Sequence, residues 1–117
     1  MIERLLWFLL AMVHVAPAAA LVQPTLISRL YGVGPDDAAF LLLQHRAALF
    51  LCICTMCLWA LFDPGVRKLA TVVAAVSMLS FLALYRIGGS PASLHVIALT
   101  DFVALPVLVA SAYLAWK

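Results

Sequence analysis

An all-α integral membrane four-helix bundle is the fold class that this chain predicts, on three observations. Of its 117 residues, 68% are hydrophobic and only 10% are charged, against about 45–50% and about 25% in soluble globular domains. The mean hydropathy is +1.18. The apolar residues gather into four runs of about 20 residues, the length that a hydrocarbon core of about 30 Å asks of a helix. A soluble domain of this size cannot hide so much apolar surface, whereas a lipid bilayer removes the need to hide it. The net charge of +2 is mild and its basic residues are scattered, which excludes nucleic acid as a partner.

The expected helices lie at about residues 5–22, 38–62, 69–87 and 94–116, in one transmembrane domain covering 1–117. The first run ends at Gln23-Pro24. Ala18-Ala19-Ala20 also offers the small-residue site of a cleaved signal peptide, but a retained helix is the preferred reading. A short amphipathic connector with Arg29, Tyr31 and Gly32 follows. Gly34-Pro35-Asp36-Asp37 then reads as a helix start, its acids complementing the positive end of the helix dipole. The turn Asp63-Pro64-Gly65 separates the second run from the third, and Gly88-Gly89-Ser90-Pro91 separates the third from the fourth, which carries Pro106 as a potential kink.

Orientation follows from the basic residues. Arg4, Arg67, Lys68 and Lys117 fall on one side, Arg29 and Arg86 on the other, so both the N and the C terminus are expected to be cytoplasmic. Trp7, Trp59 and Trp116 fall near the same level, as an interfacial aromatic belt would.

Two helices cannot cross without drawing charge inward. Residues 47–62 and 102–116 are each too short to span, so the turn bearing Gln44, His45 and Arg46 and the turn bearing Thr100 and Asp101 must enter the membrane. Both charges then lie roughly 20–25 Å from the tryptophan level. An intramembrane arginine or aspartate costs about 2.5–3.5 kcal/mol on insertion scales. An Arg46–Asp101 ion pair with His45 alongside is therefore expected, serving either to fix helix register or to bind a ligand. Arg86 and His95 approach the same outer face near the Gly88–Pro91 loop, where interfacial placement competes with an electropositive pocket.

His14 stands alone on the first helix. A metal or haem ligand is one reading, and a histidine hydrogen-bonded within the bundle is the favoured one. Cys54 and Cys57 match the spacing of a redox pair, yet they lie inside a helix and not at its amino terminus, so small apolar packing residues are expected. Alanines such as Ala18, Ala47 and Ala74 suit close helix packing. No phosphate-binding loop, dinucleotide fingerprint or nucleophile elbow is present.

The order Leu30-Tyr31-Gly32-Val33, then Leu43-Gln44-His45-Arg46-Ala47-Ala48-Leu49-Phe50, then Ser77-Met78-Leu79-Ser80-Phe81, then Thr100-Asp101-Phe102-Val103-Ala104-Leu105 resembles small proteobacterial four-helix proteins of the DoxX-like kind, over nearly the whole chain. The resemblance implies a multi-pass protein of the bacterial inner (cytoplasmic) membrane and singles out Tyr31, Gly32, His45, Arg46 and Asp101. Such sequences often carry the label phosphopantetheine adenylyltransferase, a soluble nucleotide-binding α/β enzyme, which these residues contradict. It implies no common biochemistry, and only loosely a link to quinone-coupled sulfur oxidation.

The leading functional expectation is a non-catalytic accessory subunit of a larger membrane complex, or a binder of a lipophilic small molecule, needing no cofactor. The first alternative is a redox protein holding a quinone headgroup with His45, Arg46 and Asp101 and exchanging electrons through Cys54 and Cys57 or a bound haem. The second is a homo-oligomeric transporter or proton relay using Asp101 and His45.

Overall fold

A computed structural model describes all 117 residues, and its regular structure is all helical, with no strand. Five helices form: α1 (Ile2–Ala19), α2 (Thr25–Tyr31), α3 (Ala38–Phe62), α4 (Arg67–Ile87) and α5 (His95–Trp116). Single 3-10 turns, Pro64–Val66 and Ala92–Leu94, lead into α4 and α5. Four of the helical segments are long and apolar enough to cross a membrane.

The second run matches its expected bounds, and the reason is local. Asp37 is the N-cap of α3, its carboxylate accepting the Ala39 N–H at 2.9 Å, and Asp63 closes the other end before accepting from Gly65 N–H at 2.8 Å. The first run is shifted: α1 begins at Ile2 and ends at Ala19, where the chain turns through Ala20–Gln23. The amphipathic connector folds as α2. Pro24 supplies a helical φ of −60° at its start, and Gly32 stops it in the left-handed region at φ 69°. Ile27 and Tyr31, one turn apart, are buried and seat α2 between α3 and the Ala92–Leu94 turn.

Gly32 is needed for its conformation more than for its size, because a Cβ there would meet Ser93 at an ordinary 3.8 Å. Gly32→Ala is therefore expected to lower stability by about 1 kcal/mol, the cost of a left-handed L residue. Thermal unfolding in detergent measures it.

Each long helix packs against two others, in the ring order α1, α3, α4, α5; α1 and α3 are in the closest contact, and α3 and α4 in the sparsest among neighbours. The main core runs through Trp7, Leu10, Cys57, Ala70, Ala74 and Met78, with a smaller one at the α2 end around Ala20, Ile27, Tyr31 and Ala47. Only 21 of 117 residues are buried, while large apolar side chains such as Phe8, Leu51, Leu79 and Phe102 point outward from every long helix. That much exposed apolar surface is foreign to a soluble monomer.

One tryptophan departs from the expected belt. Trp59 and Trp116 are exposed, but Trp7 is 1% exposed and lies at the heart of the core. Its position along α1 is that of a belt residue; its rotation about the helix axis turns it inward.

Candidate functional site

Arg46 sits on α3, half-buried, at the end of the bundle where α2 packs. Its guanidinium carbon lies 4.7 Å from the ring centre of Phe50, one turn along the same helix. Phe81 of α4 approaches at 5.3 Å and Tyr31 of α2 at 5.5 Å. Three elements thus supply three aromatic rings to one cation, each within cation–π range. Phe50 and Phe81 were not singled out by the sequence, although the Arg46–Phe50 spacing of four is a helix-face signal.

The expected Arg46–Asp101 ion pair is absent: the chain's one salt bridge joins Arg67 to Glu3. The ring order explains this, since α3 and α5 face each other across the diagonal, each packed on α1 and α4. Both charges still bear on Tyr31. Burial pushes its phenol above the ordinary value, Arg46 pulls it down and Asp101 pushes it further up. Asp101 itself is half-buried on α5.

His45 does not join the cluster. One residue along α3 is a rotation of about 100°, and His45 is exposed on the outer surface. The Gln44 amide donates to the Leu21 carbonyl at 3.5 Å, tying α3 to the turn after α1. Arg86 and His95, both exposed, line a separate cleft of about 570 Å³ between α4 and α5, with Tyr85 and Ser90.

A second cleft, of about 360 Å³, opens between α3 and α4, where neighbouring helices pack least closely. Arg46 stands in its lining with Ser77 and Ser80; Leu49, Ile53 and Leu84 form apolar walls. No protein acceptor lies within hydrogen-bonding reach of the guanidinium, yet no fully buried side-chain nitrogen or oxygen in the chain lacks a partner. The open N–H edge of Arg46 is therefore accessible, and the cleft it lines is the apolar space beside it.

The remaining candidates resolve into packing. His14 is buried and its Nδ1–H donates to the Leu10 carbonyl at 2.8 Å, with its ring 5.9 Å from that of Phe50. No group of three His, Cys, Asp or Glu side chains converges to hold a metal. Cys54 and Cys57 are free, buried thiols in the main core, and Cys54 donates to the Ala11 carbonyl of α1 at 3.5 Å. Cys52 is exposed. N-ethylmaleimide added to the folded protein in detergent is expected to label Cys52 alone, and Cys54 and Cys57 only after unfolding in dodecyl sulfate. Intact-mass measurement reads the result, and rapid triple labelling of the folded protein would contradict the packing described.

The chain's one ion pair was also not foreseen. Arg67, counted in the sequence among the basic residues of the expected cytoplasmic side, is buried; its Nε donates to the Ala60 carbonyl at 2.8 Å and it pairs with Glu3. No family model, curated protein or solved structure matches the chain.

Proposed function

We propose that the chain is a multi-pass membrane protein, with both termini at the cytoplasmic face of a bacterial inner membrane, that holds a lipophilic ligand by its polar head at Arg46. The observation that carries this reading is the accessible, acceptor-free guanidinium of Arg46 in the lining of the apolar α3–α4 cleft. A cleft of about 360 Å³ falls in the range of small-molecule sites, which pair apolar walls with a few placed polar groups. The exposed apolar exterior supports residence in lipid. The resemblance to DoxX-like proteins belongs to the same reading, with Arg46 5.5 Å from the Tyr31 ring centre. His45 is left out of the site by its outward direction.

A binding role without electron transfer accounts for the cysteines, which are packed away from the cleft. Native purification followed by mass spectrometry tests the proposal. The expected result is a copurifying lipophile that is lost from Arg46→Ala while the helical content stays intact. Recovery of a stoichiometric protein partner with no lipophile would favour the accessory-subunit role instead.

A further inference from the structure

The surroundings of Arg46 specify more than a hydrophobic ligand. In an apolar medium a guanidinium needs both its charge and its N–H donors answered. The three rings at 4.7–5.5 Å answer part of the charge but accept no conventional hydrogen bond. Asp101 is beyond ion-pair distance and is not part of the cleft lining. What is missing is an anion that accepts hydrogen bonds in the plane of the guanidinium, which a carboxylate does through two parallel contacts. Ser77 and Ser80 of α4 also stand in the lining; the Ser80 hydroxyl donates to the Ser77 carbonyl at 3.2 Å and the Ser77 hydroxyl is the further donor. Leu49, Ile53 and Leu84 leave the cleft apolar and, at about 360 Å³, sized for one chain.

Resting on the cleft reading above, we propose that the ligand is a single-chain amphiphile with a carboxylate head, a long-chain fatty acid, seated with its head on Arg46 and its chain between α3 and α4. A neutral quinone or alcohol would accept hydrogen bonds from the guanidinium and still leave its charge unanswered.

The test uses the full chain in phosphatidylcholine nanodiscs, with electron paramagnetic resonance of spin-labelled stearic acid, its methyl ester and spin-labelled phosphatidylglycerol. The ionised acid is expected to be motionally restricted with roughly tenfold preference over the ester, as charged hydrogen bonds allow. Arg46→Gln should abolish that preference and Arg46→Lys should keep part of it. Leu84→Trp, which puts a larger ring in the cleft lining and leaves Arg46 in place, should displace the acid, so the proposal stays testable if Arg46→Gln folds poorly. Equal restriction of acid and ester, both relieved by Leu84→Trp, would overturn the carboxylate assignment and leave the cleft reading standing. A preference for phosphatidylglycerol over the acid would overturn it likewise. No restriction of any probe and no response to Leu84→Trp would remove both.

Discussion

Arg67→Leu is expected to destabilise the bundle by about 3 kcal/mol, the scale of lost charge-assisted hydrogen bonds together with packed helix-end carbonyls left without a donor. Arg67 is the first residue of α4, a place where the helix dipole opposes a cation, so other interactions must hold it there. They come from two elements, α3 and α1. Its Nε donates to the Ala60 carbonyl at 2.8 Å and a terminal nitrogen approaches the Leu61 carbonyl at 3.4 Å, two acceptors in the last turn of α3. A helix end leaves such carbonyls without intrahelical partners, and Arg67 caps them. Glu3, in the first turn of α1, supplies the counter-charge at the positive end of that helix.

The two partners are not equivalent. The Arg67 side chain is 10% exposed and that of Glu3 is 41% exposed. Glu3 freed of its partner can be hydrated, but the carbonyls that Arg67 leaves behind are held at a packed helix end. Glu3→Gln keeps the capping bonds and should cost about 1 kcal/mol, and Arg67→Lys, with one ammonium in place of a forked guanidinium, should fall between. Unfolding by dodecyl sulfate in mixed micelles gives all three values. An Arg67→Leu protein within about 0.5 kcal/mol of the parent, the usual spread for surface changes, would show that the clamp is incidental.

The same residue shows where reading the sequence stops. The four apolar runs and the α3 bounds at Ala38 and Phe62 follow from length and capping along the chain, and the expected levels of Arg46 and Asp101 are counted along the same axis. Depth is one coordinate. Rotation about each helix and the order of helices around the ring are the others, and neither is set by a hydrophobic count. Trp7 and Trp59 occupy equivalent levels in the sequence, yet one is core and the other faces outward. Arg46 and Asp101 are expected at one depth, yet the ring order places their helices on a diagonal and gives Arg46 aromatic neighbours instead. His45 was pulled in by its neighbour and turned out by 100° of helix. The seven residues of α2 are too few to declare a helix by propensity; burial of Ile27 and Tyr31 decides it. Arg67 counts only as one of the basic residues that set orientation until the Pro64–Val66 turn brings it under the end of α3.

Trp7→Ala is the second large effect, about 3 kcal/mol. Trp7 is 1% exposed and shares its core with Ala11, Cys57, Ala60, Ala70 and Ala74, each at most 1% exposed. Small residues let helix backbones approach closely, and the large rings then fill the space that remains between them. In a soluble protein, removing a buried tryptophan costs about 3–5 kcal/mol, part of it apolar transfer from water. A chain unfolded into lipid or detergent already keeps its side chains out of water, so the transfer part shrinks and the lost packing contacts dominate. The expected loss therefore lies at the low end of that range. Trp7→Phe, which retains most of the ring contacts, should cost about 1 kcal/mol. Trp59→Ala, at a side chain 62% exposed, should leave stability nearly unchanged, losing little beyond a 3.4 Å contact with Asp63. Thermal unfolding of the three variants in one detergent separates a core tryptophan from a belt tryptophan. If Trp7→Ala and Trp59→Ala melt alike, Trp7 faces lipid as the sequence alone proposed, and the rotation of α1 described here is wrong.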